Sequence, residues 1–210
     1  MSVSPTTVSD VMTHTAVAVG RRASYKEIVQ LMEQWKISAL PVLEGEGRVI
    51  GVVSEADLLP KEEYRVDVPT ASDRPPSDVA RAQAVYAEEL MSSPAVTVHP
   101  DATLAEAARI MARRRVKRLP VVDRLGLLEG IVSRGDLLKV FLRSDEDIAT
   151  EIRSGVLPNV PNTTGVEISV KEGVVVLGGH LDDRALVPLL ARAVRAVEGV
   201  VDIRLDLTRA

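Results

Sequence analysis

Apolar positions along the chain change period at regular intervals, and the changes come round twice. Ala16 to Val19 reads as a short β segment. It leads to Ser24-x-x-Glu27, the capping-box spacing in which a hydroxyl and a carboxylate satisfy orphan amides at a helix start. Tyr25, Ile28, Val29 and Met32 then fall at i, i+3, i+4 and i+7, which predicts a helix with one buried stripe. Two apolar runs, Leu40 to Leu43 and Val49 to Val53, flank polar Glu44 to Gly47 as strand, turn and strand, and a second helix begins near Ser54. The same order returns with Ala95 to Val98, Thr103-x-x-Glu106, a stripe of Leu104, Ala107, Ala108 and Met111, strands Leu119 to Val122 and Leu128 to Val132 around Asp123 to Gly126, and a helix near Ser133.

An offset of 79 superposes the two halves without a gap from Met12 over Met91 to Leu59 over Leu138. Leu40-Pro41-Val42 falls over Leu119-Pro120-Val121, Gly51 over Gly130, Val53-Ser54 over Val132-Ser133 and Asp57 over Asp136. The order β-α-β-β-α, twice, predicts two small α/β units whose apolar faces need each other. Between them Pro60 to Ser77 is rich in charge and proline and reads as a solvated linker. Asp78 to Glu89 has an Ala-rich helical pattern with Val79, Ala82 and Val85-Tyr86 on one face. The expected boundaries are 8–60 for the first repeat, 61–78 for the linker and 79–142 for the second repeat with its lead-in helix.

After Phe141 the pattern changes, and residues 145–207 read as a third unit. A helix runs from Ser144 to about Ser154, Val166-x-Ile168-x-Val170 and Val174-x-Val176 form a hairpin around Lys171-Glu172-Gly173, and a helix from about Asp183 carries Leu186, Leu190, Ala193, Val194 and Val197 inward before a last strand, Val200 to Leu207. Pro188 is tolerable only in the first turn of that helix. Order α-β-β-α-β predicts a three-stranded sheet with two helices on one face.

Residues 8 to 142 resemble a tandem pair of CBS domains, a Bateman module. The resemblance rests on Val11-Met12 and Leu90-Met91, on Val96-x-Val98-x-Pro100-Asp101-Ala102-Thr103-Leu104, on the Leu-Pro-Val-Val-Asp run ending at Asp123, and on Gly-x-Val/Ile-Ser-x-x-Asp-Leu-Leu in both repeats. It implies an α/β (α+β) fold of two repeats in a pseudo-symmetric disc with two clefts, association into homodimers, and adenine nucleotide as a regulatory ligand, with no cofactor required. By that resemblance the helix-opening Asp holds the ribose hydroxyls, the preceding Ser touches phosphate, the first strand's backbone meets the base, and a cation just before Leu-Pro-Val neutralises phosphate. In the second repeat these are Asp136, Ser133, Ala95-Val96 and Arg118 with Lys117 beside it; guanidinium forks suit phosphate and one carboxylate suits two hydroxyls. In the first repeat Asp57, Ser54 and Ala16-Val17 stand at the same places, but Ser38-Ala39 replace the cations and Arg21-Arg22 replace Pro100-Asp101.

Structural readings stand beside these. Ser54-x-x-Asp57 and Ser133-x-x-Asp136 also fit a helix cap that stabilises by ~1 kcal/mol. Arg113, Arg114 and Arg115 suit a helix C-terminus, where cations complement the dipole. Met32, Met111 and Trp35 read as core or dimer-contact residues, and His14 and His99 as surface residues.

Residues 145–207 resemble a BON domain through Gly173-Val-Val-Val-Leu-Gly178-Gly179 and Val197-Glu198-Gly199-Val200-x-x-Ile203. Members of that family are associated with phospholipid surfaces. Here, however, eleven acidic and seven basic residues follow from Asp145 onward, so the whole net charge of −4 sits in this segment. That acidity disfavours contact with an anionic membrane surface and favours a protein or small-molecule partner.

Composition narrows the rest. The 210 residues contain no cysteine and three scattered histidines, so thiolate chemistry is excluded and a metal site is not expected. One Trp, three Tyr and one Phe, with the acidic balance, argue against nucleic-acid binding. No nucleophile-base pair or P-loop is present, so no enzyme is expected. The N-terminus shows no basic segment ahead of an apolar run, and no stretch nears the ~18 apolar residues of a membrane helix, so a cytoplasmic place is expected. The expected function is a non-catalytic regulatory sensor that binds adenine nucleotide (AMP, ADP or ATP class) in the CBS clefts and relays it to the BON-like unit or a protein partner. The alternative is an adaptor in which the CBS pair only dimerises and the BON-like unit docks on a membrane surface or a partner.

Overall fold

Helices start where the Ser24 and Thr103 signals place them. In the computed structural model, which describes residues 6–65 and 76–208, the first repeat comprises α1 (Val8–Val11), β1 (Val19–Gly20), α2 (Tyr25–Trp35), β2 (Ala39–Glu44), β3 (Arg48–Ser54), α3 (Glu55–Leu58) and α4 (Pro60–Glu63). After α5 (Pro76–Gln83), the second comprises α6 (Ala87–Leu90), α7 (Leu104–Arg114), β4 (Arg118–Val122), β5 (Leu128–Ser133) and α8 (Arg134–Leu138). Residues 66–75 of the expected linker lie outside the described residues. The chain divides into two units between Arg134 and Gly135.

Within the N-terminal unit the 79-residue register extends to detail. The Ser24 hydroxyl accepts from Glu27 N at 3.3 Å, and Thr103 Oγ1 accepts from Glu106 N at 3.2 Å. Both helices end on a left-handed non-glycine residue, Lys36 (φ 52°) and Arg115 (φ 56°). Each hairpin carries a register shift at the same place, between Val42 and Leu43 and between Val121 and Val122. Parallel pairing of the first strand with the hairpin is brief: Val19 and Gly20 pair with Val42 and Leu43, and Val98 alone bridges Val121. The β segments expected over Ala16 to Val19 and Ala95 to Val98 are therefore mostly irregular. The buried stripes are narrower than the periodicity predicts. Ile28 and Met32, and Leu104, Ala107 and Met111, are buried, whereas Val29 (42% exposed) and Ala108 face outward, because each helix covers only one hairpin.

The two repeats exchange their opening helices. Val8 N and Ser9 N donate to Ala102 O and Pro100 O of the second repeat, and Ala87 N and Glu88 N donate to Ala23 O and Arg21 O of the first, all at 2.9–3.0 Å. Met12 and Met91 follow. A Cβ at Gly130 would collide with Thr13 O and the Met12 side chain, and one at Gly51 with the Met91 side chain, so both glycines are close-approach positions. The lead-in segment belongs by packing to the first repeat's core, where Ala84, Ala87 and Leu90 join Ile28, Leu40, Val42 and Val53. Its expected single helix is broken at Ala84–Tyr86, since the Glu89 carboxylate accepts from Val85 N (2.7 Å) and Tyr86 N (3.0 Å) and starts a new turn there. Arg21 pairs with Glu88 at 2.6 Å and also with Glu44, while Arg22 lies 4.7 Å from the centre of the Tyr86 ring. That explains Arg21-Arg22 where the second repeat has Pro100-Asp101: they fasten the lead-in segment.

The C-terminal unit adds α9 (Asp145–Glu151), continued by a π-helical turn over Ile152–Val156, then β6 (Val166–Lys171), β7 (Val174–His180), α10 (Val187–Arg195) and β8 (Asp202–Thr208). The sheet order is β6-β7-β8, antiparallel then parallel. Pro188 falls in the first turn of α10, as its ring requires. The β6–β7 turn places Glu172 (φ 51°) and Gly173 (φ 73°) in the left-handed region, and the Asp145 carboxylate accepts from both their amides at 2.8 Å. Ile148, Ile152, Val175, Leu177, Leu190 and Val194 form the core. No helix among the described residues is long and apolar enough to cross a membrane.

Candidate functional site

Both repeats line one cleft of about 390 Å³ in the N-terminal unit. From the first come Ser38-Ala39 at the start of β2 and Ser54, Glu55 and Asp57 where β3 turns into α3; from the second come Ala95-Val96 and the run Arg114 to Arg118 where α7 turns into β4. A volume in this range suits a small organic ligand.

Local chemistry explains each placement. Asp57 is the third residue of α3 and caps it: Ser54 N and Ser54 Oγ donate to its Oδ2 at 2.8 and 2.6 Å. It is also the one buried charged residue among the described residues, at 7% exposure. Capping and site roles are thus compatible, since the cap fixes a carboxylate at the cleft wall. Its Oδ1 faces Arg81 Nη2 at 2.9 Å and Ser92 Oγ at 3.3 Å. On the other wall, the left-handed cap at Arg115 ends α7 within one residue and turns the chain into β4. Arg114, Arg115, Lys117 and Arg118 are thereby gathered on one cleft, and Arg118 Nη2 donates to Ser38 Oγ at 2.8 Å. Against four cations stand Glu55 and Asp57, the latter already answered by Arg81. Such a wall attracts a multiply charged anion.

The structure brings Ala95, Val96, Lys117 and Arg118 of the second repeat together with Ser38, Ala39, Ser54 and Asp57 of the first. Ala16, Val17, Ser133 and Asp136 do not line this cleft. Ala16-Val17 lie in the irregular run before β1, Ser133 pairs with Arg118 across the β4–β5 ladder, and Asp136 lies on α8, past the division between units, with its carboxylate 2.7 Å from Lys139 Nζ. Arg113 and Arg114 lie in the last turn of α7 and Arg115 caps it, as the helix-end reading expects, and Arg114 and Arg115 also line the cleft, whereas Arg113 does not. Sequence reasoning missed Arg81 altogether. Its only signal is a cation in an Ala-rich helix, outside the repeat register. No group of three or more His, Cys, Asp or Glu among the described residues could hold a metal ion.

Comparison with known proteins bears on this geometry. Residues 8–62 and 87–143 match the CBS domain and residues 144–209 the BON domain. An uncharacterised protein of Methanocaldococcus jannaschii is 30% identical over 134 residues, 55% of this chain and 80% of the relative. The inosine-5'-monophosphate dehydrogenase of Korarchaeum cryptofilum is 30% identical over 141 residues, 67% of this chain but 25% of that enzyme. The chain spans between 31% and 52% of three further archaeal relatives. Among solved structures, CBSX2 in complex with AMP, a CBS-pair protein of Arabidopsis thaliana, superposes with a TM-score of 0.58 at 29% identity, covering 65% of this chain and 96% of that one.

Proposed function

The chain belongs to the CBS domain family, with two CBS domains followed by a BON domain, and from that premise we propose that it is a non-catalytic sensor of adenine nucleotide. The observation that carries the reading is the composite cleft: a buried carboxylate, Asp57, on one wall and Arg114, Arg115, Lys117 and Arg118 on the other, with Ala95-Val96 at its edge. One carboxylate matches a ribose diol, four cations match a phosphate chain, and the apolar edge matches a purine. CBSX2, solved with AMP, supports the ligand class. Because four basic and two acidic residues line the cleft, affinity is expected to rise with phosphate number, in the order AMP, ADP, ATP.

A ligand shifts only states that it binds differentially, so the nucleotide acts by altering the geometry of the CBS pair, read by the BON domain or a protein partner. A second copy of the chain is the partner that this reading expects: exposed Val29 and Leu59 line an open groove of about 480 Å³, and Trp35 nearby is 56% exposed. A cytoplasmic location is what this reading expects. Calorimetric titration with AMP, ADP and ATP of the full chain and of Asp57→Asn tests the ligand. The expected result is binding that strengthens with phosphate number and is lost or severely weakened in the variant; undiminished binding by Asp57→Asn removes the site.

A further inference from the structure

Asp57 has no acceptor capacity to spare. A carboxylate offers about four lone-pair sites, and all are engaged: Ser54 N and Ser54 Oγ on Oδ2, Arg81 Nη2 and Ser92 Oγ on Oδ1. A ribose diol needs two of them. The Ser54 bonds form the cap that holds α3 and cannot be given up without losing the carboxylate's position. What remains is the Oδ1 side, held chiefly by Arg81.

Arg81 is placed to let go. It lies on α5, which buries none of its side chains, and it is held on the outside by bonds from Nε to Leu90 O (3.3 Å) and from Nη2 to Ser92 Oγ (3.1 Å), with Asp78 at 3.8 Å. Otherwise α5 packs against α3, α4 and α6 and is bonded by Lys61 Nζ to Ala82 O at 2.8 Å. Arg81 also falls outside the duplicated register, which runs from Met12 to Leu59 and from Met91 to Leu138, so the contact is a property of this linker and not of the repeat. Lys139, in the 3-10 turn that follows α8, lies 2.7 Å from the carboxylate of Asp136, the register mate of Asp57.

We propose that Arg81 is a latch on the cleft: it occupies the diol-binding carboxylate when no ligand is present and must leave when a ribose binds, so that occupancy is converted into release of α5. This rests on the nucleotide reading above. Ligand affinity is reduced by the cost of breaking the Arg81–Asp57 pair, and that same cost is the free energy passed to the linker helix.

Titrating ATP into the full chain, Arg81→Ala and Arg81→Gln, with amide hydrogen exchange over residues 76–83 in each, tests it. The glutamine, whose amide nitrogen falls where Arg81 Nε lies, keeps a donor for Leu90 O without the charge, which guards against a simple loss of local structure. Both variants are expected to bind ATP roughly tenfold more tightly, the scale of one charge-assisted hydrogen bond, and ATP is expected to accelerate exchange over α5 in the natural chain but not in the variants. Binding only by the variants is the strongest form of the same result. Equal or weaker binding by both variants, with the natural chain still binding ATP, overturns the latch and leaves the nucleotide reading intact. Absence of binding in all three chains overturns the nucleotide reading and the latch with it.

Discussion

The two CBS repeats share a scaffold and divide the chemistry. Leu40 and Leu119 are both fully buried, the hairpin shifts and left-handed helix caps coincide 79 residues apart, and each repeat receives the other's opening helix through matching backbone bonds. The cations, however, lie in the second repeat and the buried carboxylate in the first, and they meet across one cleft. The repeats thus keep what packs and share the helix-opening Ser and Asp, while the cations are where they diverge, Lys117 and Arg118 standing over Ser38 and Ala39.

The largest effects test the shared scaffold. Leu40→Ala and Leu119→Ala each remove a fully buried side chain and are expected to cost about 2–5 kcal/mol and to agree with one another within about 1 kcal/mol. Denaturant unfolding of the two variants checks this, and a large disparity would break the equivalence of the repeats. Gly51→Ala and Gly130→Ala are next, at about 1–3 kcal/mol. Here the repeats are expected to differ, because a Cβ at Gly51 meets a flexible Met91 side chain whereas one at Gly130 meets the backbone oxygen of Thr13. Gly130→Ala is therefore the more damaging of the two.

Smaller effects test the division of chemistry. Lys117 lines the cleft and is exposed, so Lys117→Ser, which installs the first repeat's residue at that register position, is expected to weaken ATP binding about three- to tenfold while leaving stability within ~0.5 kcal/mol. The loss should shrink at high salt and be smaller for AMP, as titration at two ionic strengths would reveal. The smallest effect concerns Arg21 and Glu88, an ion pair between the repeats whose register mates are Pro100 and Ser9. The hydrogen bond from Arg21 holds the Glu88 carboxyl below its ordinary value of 4.5. The folded value is depressed, so the contribution is complete above that ordinary value and fades as pH falls through the lower one. Thermal unfolding followed between pH 3 and 6 should accordingly show a slightly shallower acid loss for Glu88→Gln.

Much of the molecule is legible in its amino-acid order because the signals are local. Ser24 and Thr103 mark helix starts through bonds spanning three residues, Pro188 sets where α10 begins, and Glu172-Gly173 turns a hairpin whose positive φ angles glycine favours. The site was legible only in part. Equivalence by register pairs Lys117 and Arg118 with Ser133 and Asp136, yet the cleft pairs them with Ser54 and Asp57, because the repeats face one another and exchange elements. Arg114 and Arg115 are the exposed helix end that the sequence implies, and what it does not show is that the left-handed Arg115 turns this end onto the cleft.

By itself, then, the amino-acid order determined the duplication, the elements within each repeat, the capping residues and the acidic third unit, since periodicity, caps and turns act within a few residues along the chain. Only the tertiary structure decided which repeat supplies which wall of the cleft, that the lead-in segment joins the first repeat's core, and that Arg81 reaches Asp57. Those contacts join residues far apart in the chain, and their partners are selected by how the faces of the two repeats close on one another.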